Sequence, residues 1–316
     1  MPAWNLLLTL LPRPLAFSGA LAIWLGAFNL ASAQAPYDDA NTPEGWAWSQ
    51  IKRGDEADFN QHCLTKPPLD PKNEEDAHWR HDCRKLSSCF LMDLLTRAPR
   101  REVVPFAGVR IKGAQITGNV DLENAKLIRP IEIVGSRIEG AIKLSHARTD
   151  SLIMLDGSVM KGAFTTDSLH AESDLFLRFG AAFKSDVTLI GAKIDGGVDM
   201  TGASFNGTFN ASNLQIGGAL HGLDLLDASI AGDLELAGPG KPAVWKGNIR
   251  KPGALTLRNT HIGNLMDAKD AWPTPGYLHL DGFSFNHLGG YSGDPGTEMR
   301  ARGMDWWDNW ARRDPI

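Results

Sequence analysis

Apolar residues recur at an interval of eleven positions between Val109 and Ile216, and this interval restricts the fold more than any other feature. Three series show it: Val109, Val120, Ile131 and Ile142; Ile111, Leu122, Ile133 and Leu144; and, after a break, Phe183, Ile194, Phe205 and Ile216. A short fixed period indicates one supersecondary unit that stacks on copies of itself, because a single unit cannot bury its own apolar face. The sequence therefore predicts a solenoid.

The repeating unit can be written V-x-L-x-x-A-x-I-x-G-x, as in residues 120–127 and 198–207. Two apolar residues around one polar residue predict a short strand whose alternate side chains face inward. The small residue and the glycine predict corners, since glycine adopts positive φ without strain, and recurring glycine disfavours a helix. We predict a mainly β fold, a parallel β-helix of about eight coils with an 11/22-residue period over residues 108–288. Residues 238–253, which include Trp245, predict a loop that bulges from one coil.

Residues 34–107 do not repeat and predict a mainly helical N-terminal cap. Within it, apolar residues three or four apart predict a helix over residues 78–96. Residues 289–316 predict a loop and a short C-terminal helix that carries Trp306, Trp307 and Trp310 among arginines. A capping helix over the last coil is the favoured interpretation, and contact with a membrane interface or a partner is the alternative. The ending at Pro315 and Ile316 resembles an element interrupted in mid-course.

Residues 1–33 have the pattern of a secretory signal peptide. Arg13 precedes an apolar run at 15–30, and Ala31, Ser32 and Ala33 form a small-x-small cleavage site before Gln34. We expect a periplasmic or secreted protein. The alternative is a membrane anchor formed by residues 4–30, although the apolar run is short for a span of about 20 residues.

Export makes the three cysteines interpretable, because an oxidising compartment permits a disulfide. Cys89 lies in an apolar run and is expected to be a buried small residue. Cys63 and Cys83 are then the candidate pair, closing a loop rich in proline and acidic residues. A metal site formed by His62, Cys63, His81 and Cys83 is the competing interpretation, but the spacing of these residues does not favour it.

The pattern A-x-[I/F]-x-G-x-[V/L]-x-[L/M] resembles the bacterial pentapeptide-repeat-like β-helix proteins. It is most similar to an uncharacterised branch sometimes labelled membrane-associated oxidoreductases. The resemblance covers most of the chain after residue 33 and includes residues 54–60, 174–178 and 280–285, followed by the tail tryptophans. Such relatives commonly continue beyond the equivalent of Pro315 into further helices and, in many, membrane spans.

No catalytic or cofactor motif accompanies the repeat. An oxidoreductase would need a nucleotide cradle, but no GxGxxG opens a helix after a strand, so we predict no cofactor. The pattern exposes several carboxylates without singling out a pair: Asp121, Glu132, Glu139, Asp195 and Asp199. Six histidines are scattered at no metal-ligand spacing, so no metal site is expected: His146, His170, His221, His261, His279 and His287.

These observations favour an exported, non-catalytic β-helix that serves as a scaffold or binding protein of the bacterial cell envelope. Its partner would be an envelope protein or a polysaccharide. The alternative is a carbohydrate-active β-helix enzyme, which for glycoside hydrolysis would need two carboxylates about 5–9.5 Å apart. A nucleic-acid partner is not expected, because the net charge is −5 and no basic stripe is present.

Overall fold

The computed structural model describes residues 37–217, 222–238, 241–245, 254–268, 271–289, 308, 310, 312 and 313. The chain divides into Met1–Ala35 and Pro36–Ile316, and the described residues belong to the second unit. The predicted signal peptide and the alternative anchor at residues 4–30 both lie outside the described residues. Within the ranges just given, no helix combines the length and apolar composition needed to cross a bilayer.

The repeat folds as a parallel β-solenoid of about seven turns with four sides, which confirms the predicted fold class. We number the sides 1 to 4 in chain order from Val109. In the regular turns one short strand lies on each side, and it pairs in register with the strands one turn below and above. On side 1, for example, Val109 pairs with Ile131, which pairs with Ile153, so one turn takes two of the eleven-residue intervals.

The strands are grouped by side. Side 1 consists of Ala57–Asp58, Val109–Lys112, Ile131–Val134, Ile153–Met154, Leu175–Phe176, Val198–Asp199, Leu223–Asp224, Leu255–Thr256 and Leu278–His279. Side 2 consists of Lys85–Ser87, Gln115–Thr117, Arg137–Ile138, Val159–Met160, Ala182–Phe183 and Ser204–Phe205. Side 3 consists of Val120–Asp121, Ile142–Lys143, Phe164–Thr165, Val187–Thr188 and Phe209–Asn210. Three longer strands continue sides 2 and 3 together: Ser229–Glu235, His261–Met266 and Ser284–Gly289. Side 4 consists of Lys126–Leu127, Arg148–Thr149, His170–Ala171, Lys193–Ile194, Gln215–Ile216 and Val244–Trp245.

The interval of eleven residues corresponds to half a turn. Val109 lies on side 1, Val120 lies on side 3 across the core, and Ile131 returns to side 1. The inward positions are buried as predicted, with Leu122 3% exposed and Phe205 1% exposed. Each large apolar side chain buried in this way contributes roughly 1.5–3 kcal/mol, so the stack of turns offsets the entropy of ordering them.

The turns are not uniform, which explains why about seven form where about eight were predicted. The turn between Leu223 and Leu255 is longer than the others, since the paired side chains of Asp227 and Asn259 are 32 positions apart along the chain. Part of the excess is an antiparallel hairpin of Ala237–Gly238 with Lys241–Pro242, within the region predicted to bulge. Trp245 does not belong to the bulge, however, because it pairs with Ile216 on side 4 and continues the repeat.

The N-terminal cap extends the solenoid as well as covering its end. Helices α1 (Pro43–Lys52), α2 (Phe59–His62), α3 (Ser88–Thr96) and α4 (Arg100–Val103) alternate with two strands of sides 1 and 2. Ala57 pairs with Ile111 and Leu86 pairs with Ile116, so both sheets begin in the cap. Buried side chains of α1 and α3 join the same core as the first turn. The exposed apolar end of the solenoid is thereby closed.

The prediction of a helix over residues 78–96 is wrong for the first half of that range. Short 3₁₀ helices occupy Ala77–Arg80 and Asp82–Arg84, and Lys85–Ser87 forms a strand that pairs with Gln115–Thr117. Pairing with the first turn therefore overrides the helical spacing. Only Ser88–Thr96 is α-helical, and its N-cap is Ser87, whose Oγ accepts a hydrogen bond from Phe90 N at 3.2 Å.

The predicted disulfide between Cys63 and Cys83 is present, with the two Cα atoms 5.9 Å apart. We call residues 64–82, which it closes, the strap. The strap packs on side 2, because Arg137 donates hydrogen bonds to the carbonyl oxygens of Pro71 and Asn73 and stacks on Trp79, which is fully buried. Cys89, in contrast, is exposed and free rather than buried. It lies on the outer face of α3, whose neighbouring residues turn toward the core.

The described residues of the C-terminal tail pack on the last turn. The Trp310 ring lies 5.5 Å from that of Trp272 and 6.2 Å from that of Phe283. Arg313 Nη1 donates a hydrogen bond of 2.5 Å to the Pro273 carbonyl. These contacts place Trp310 and Arg313 against the last turns of the solenoid.

Candidate binding site at an aromatic corner

The corner between sides 1 and 2 has a left-handed backbone in successive turns. The residues with positive φ at this corner are Gly113, Gly135, Gly157, Phe179, Gly202, Asp227, Asn259 and Gly282. Glycine, asparagine and aspartate tolerate this conformation, whereas a bulky side chain there is a genuine outlier. Phe179, with φ of 53°, breaks the series at a cost of about 1–2 kcal/mol.

Phe179 occupies the same structural position as the glycines, and an extra residue follows it. Gly157 donates its N–H to Arg178 O at 2.8 Å, and Phe179 donates its N–H to Thr201 O at 3.1 Å, one turn further on. Gly180 also has positive φ, and the turn from Leu175 to Val198 is one residue longer than the turn before it. A Cβ at Gly180 would lie only 2.9 Å from the Lys72 Nζ, so the strap reaches this corner.

The Phe179 side chain points into solvent. It is 70% exposed, whereas the phenylalanines of the core, such as Phe183 and Phe205, are 1% exposed. The strained backbone and the exposure of an apolar ring to water both lower the stability of the unbound protein. Outliers of this kind cluster at functional sites, where the strain holds a group ready for a ligand.

Arg178 connects Phe179 to the flat surface of side 1. Its guanidinium carbon lies 4.2 Å from the ring centroid of Phe176 and 4.8 Å from that of Phe179. One turn below, the Asp156 carboxylate accepts hydrogen bonds from Arg178 Nε at 3.2 Å and from Nη2 at 2.8 Å. These hydrogen bonds from Arg178 to Asp156, together with the charge of Asp156, raise the pKa of Arg178. The guanidinium is therefore charged and fixed in one orientation.

Asp199, one turn above Phe176, completes the cluster. Its Oδ2 lies 3.6 Å from Arg178 Nη1, and its Oδ1 accepts hydrogen bonds from the backbone N–H and hydroxyl of Thr201. We call Phe176, Arg178, Phe179, Asp156 and Asp199 the aromatic corner. With Lys72 beside it, two positive and two negative side chains meet there, so their charges cancel.

Sequence reasoning missed Phe179, although a signal was present. The run 174–178 drew attention only as part of a family resemblance, which stops one residue short. Glycines at 113, 135 and 157 are evenly spaced, and position 179 is the next in that series. A phenylalanine there stands out once the series is recognised as a column of corners.

The five carboxylates exposed by the pattern are distributed over all four sides, and each has a cationic neighbour. Asp121 lies 3.9 Å from Lys143, Glu132 3.3 Å from Arg110, Glu139 2.8 Å from Lys161, Asp195 3.5 Å from Lys193, and Asp199 3.6 Å from Arg178. Glu132 and Asp199 share side 1, but three rungs separate them, about 14 Å at the usual strand spacing. The fold does not assemble these five into a site.

The histidines are also dispersed. His146 and His170 line a surface depression of about 270 Å³ on side 4, together with Arg148 and Lys193. An acidic residue borders it, since Asp195 lies 3.9 Å from His170 and 3.5 Å from Lys193. The remaining described histidines of the six lie elsewhere: His261 on side 2, His279 on side 1 and His287 on side 3. His221 lies outside the described residues.

A larger cavity of about 560 Å³ lies inside the strap and is lined in part by Asp76, His78 and His81. His78 Nδ1 lies 2.8 Å from Asp76 Oδ1, so these two groups already satisfy each other. The metal site considered from sequence does not form there. Both cysteine sulfurs are consumed by the disulfide, and His62 stacks on Trp46 with 3.9 Å between the ring centroids.

Of the three tail tryptophans, Trp310 packs on the solenoid as described, whereas Trp306 and Trp307 lie outside the described residues. The aromatic corner thus becomes the leading candidate site among the residues that the structure describes. No protein-family model, curated protein or solved structure matches the chain. Its function is therefore inferred from the geometry of the aromatic corner.

Proposed function

We propose that this chain is an exported, non-catalytic β-solenoid protein of the bacterial cell envelope, which binds its partner through the aromatic corner. The observation that carries the proposal is Phe179, an exposed ring on a strained backbone where other turns place glycine, aspartate or asparagine. The solenoid behind it is rigid, because each turn pairs with two others. A rigid support that presents a pre-oriented aromatic side chain suits binding.

Export is supported by two independent features. The first 33 residues have the pattern of a signal peptide, and Cys63 and Cys83 form a disulfide, which persists in oxidising compartments. A periplasmic or secreted location follows as part of the proposal. The alternative location is the membrane surface, with the protein attached through residues 4–30 or in contact through Trp306 and Trp307.

We further propose that the chain is a divergent relative of the pentapeptide-repeat-like β-helix proteins. The support is the length of each side: successive sides begin at Val109, Gln115, Val120 and Lys126, five or six residues apart. The eleven-residue interval is then a pair of such units, which explains why a five-residue period is not visible in the sequence.

The enzyme alternative has one observation in its favour, because Asp156 and Asp199 both contact Arg178 in the aromatic corner. Their oxygens are already engaged: Asp156 accepts hydrogen bonds from the Arg178 guanidinium and another from its backbone N–H at 2.9 Å. Asp199 accepts two from Thr201. Carboxylates arranged in this way hold the guanidinium in place, and binding is the function we propose for the cluster.

The test uses the full chain expressed in a Gram-negative host. We expect the mature protein to begin at Gln34, to fractionate with the periplasm or medium, and to be retained by isolated envelope fragments. Phe179→Asn should reduce that retention, whereas Phe106→Ala should not. Phe106 is a matched control, since it is 87% exposed and contacts Arg129 at 4.7 Å, but lies outside the corner. An uncleaved cytoplasmic protein, or equal retention of the Phe179 variant, would overturn the proposal.

A further inference from the structure

We infer that the aromatic corner binds a pyranose ring of an uncharged polysaccharide. This inference rests on the proposed binding function and names the chemical class of the ligand. Three properties of the corner support it: the open face of the Phe179 ring, the hydrogen-bonding groups beside it, and the cancellation of charge around it.

The ring supplies the stacking surface. The face of an aromatic ring carries partial negative charge and attracts positively polarised hydrogens. The C–H groups on one face of a pyranose are such hydrogens, and a pyranose is close to a phenyl ring in size. Phe179 is 70% exposed, which leaves ring surface for a sugar beside its contact with Arg178. The contact with Arg178, 4.8 Å from the ring centroid, already restricts the ring and so reduces the side-chain freedom lost on binding.

Arg178 and Asp199 supply partners for hydroxyl groups. Their closest approach, from Nη1 to Oδ2, is 3.6 Å, which is longer than the roughly 2.7–2.9 Å of a charge-assisted hydrogen bond. A sugar hydroxyl is both donor and acceptor, so it can accept from Nη1 while it donates to Oδ2. Asp156 holds the Arg178 guanidinium in place, and Thr201 holds the Asp199 carboxylate in place. Neither group must therefore reorganise when a sugar binds.

Charge determines which saccharides fit. Lys72 and Arg178 are balanced by Asp156 and Asp199, so the corner does not attract a strongly charged chain. An acidic polysaccharide would in addition approach the carboxylate of Asp224, one turn above Asp199. An uncharged polysaccharide needs no net charge on the protein for its attraction and is not repelled by these carboxylates.

A protein partner is less well matched to the same surface. Protein interfaces of standard size bury about 800 Å² on each partner around a dry apolar centre. Here the side 1 surface around Phe176 is charged within two rungs in both directions, by Glu132 and by Asp199 and Asp224. The apolar centre is limited to one exposed ring beside partly buried Phe176 and Met154.

The experiment is affinity electrophoresis of the purified, oxidised protein in gels that contain soluble polysaccharides. The neutral probes are hydroxyethyl cellulose, dextran and galactomannan, and the acidic probe is polygalacturonate. We expect retardation by at least one neutral probe, an apparent Kd raised about tenfold or more by Phe179→Ala, and no change for Phe106→Ala. Phe179→Asn should behave as Phe179→Ala does while it keeps a residue type that occupies this corner at Asn259.

Several results would overturn the inference: retardation by polygalacturonate alone, no retardation by any neutral probe, or equal retardation of the Phe179 variants. The envelope assay separates this failure from failure of the proposed function. If Phe179-dependent retention on envelope fragments disappears after protease treatment of the fragments, the partner is a protein. The proposed binding function is then supported, and the inference of a saccharide ligand is wrong. If retention does not depend on Phe179, both proposals fall.

Discussion

Phe179 and Gly157 occupy the same corner in successive turns and donate equivalent backbone hydrogen bonds, Phe179 to Thr201 and Gly157 to Arg178. Glycine suits the left-handed backbone and phenylalanine does not, yet both residues donate the same hydrogen bond to the next turn. The rungs therefore keep their pairing at Phe179, and the chain adjusts only within the corner, where Gly180 is the extra residue. Its strain is local, and substitution can measure it.

Phe179→Asn should raise the free energy of unfolding by up to about 1.5 kcal/mol. Relief of about 1–2 kcal/mol of backbone strain exceeds the loss of stacking on Arg178, which is worth about 0.5–1 kcal/mol at an exposed site. Urea denaturation measures the change. The reciprocal variant, Gly157→Phe, should lower stability by about 1–2 kcal/mol, because a Cβ there meets only ordinary contacts and the cost is in φ. Lower stability of Phe179→Asn would show that the corner is not strained.

The disulfide should stabilise the fold by constraining the unfolded chain. Cys63 and Cys83 are 20 residues apart, and closing a loop of that length is worth about 3 kcal/mol. We expect Cys63→Ser with Cys83→Ser to lose about this much in thermal or urea unfolding and to become insensitive to reducing agent. Cys89→Ser is the matched control, since its thiol is free and exposed, and its stability should stay near that of the parent protein.

The stacked phenylalanines of the core should be far more sensitive than the exposed ones. Phe183 and Phe205 lie on adjacent rungs with ring centroids 4.8 Å apart and planes 9° from parallel. Phe205→Ala should cost about 3–5 kcal/mol, because it removes a buried ring and leaves a cavity that neighbouring rungs cannot fill. Phe106→Ala should cost only about 0.5–1 kcal/mol, the value of its exposed contact with Arg129. Similar losses for the two variants in urea unfolding would contradict the described core.

Stability should fall as pH decreases from 7 to 5, and His62 should contribute. Burial lowers the pKa of His62 below its ordinary value of 6.5. At His62 the unfolded chain therefore binds a proton at a higher pH than the folded chain does. The stability that comes from keeping this imidazole neutral in the fold is present above pH 6.5, and it is lost as the pH falls toward the pKa of His62 in the folded chain. His62→Phe retains a ring to stack on Trp46 and should flatten this decline. Urea unfolding at several pH values measures the slope, and the same slope in His62→Phe as in the parent protein would contradict this prediction.

Much of the fold was predictable because a solenoid repeats one local pattern. Val120, Leu122, Ile194 and Phe205 were expected to face inward, and all are buried. Predictions were poorer where the chain leaves the pattern. Lys85–Ser87 has helical spacing but forms a strand, because it pairs with Gln115–Thr117, a segment that follows α3 and α4 in the chain. Trp245 was assigned to a bulge, but it continues side 4. In both cases pairing between distant segments overrides local preference.

The candidate site was not predictable to the same degree. The five carboxylates considered from sequence lie on all four sides, and only Asp199 belongs to the aromatic corner. The corner depends on Arg178 lying above Asp156 and on Asp199 lying above Phe176, which follows from the length of each turn. That length increases by one residue at Gly180, so the stacking cannot be read from spacing without the paired strands.

The amino-acid sequence by itself determines the usual length of a turn, two eleven-residue intervals, and which side chains fill the core, because alternation and corner glycines are local properties. Only the tertiary structure decides that turns have four sides, that the strap crosses side 2, and that Arg178 lies between Asp156 and Phe179. The physical reason is that these contacts run across turns, along the axis of the solenoid. Hydrogen-bond register between rungs sets them, and register is a property of paired strands rather than of one segment.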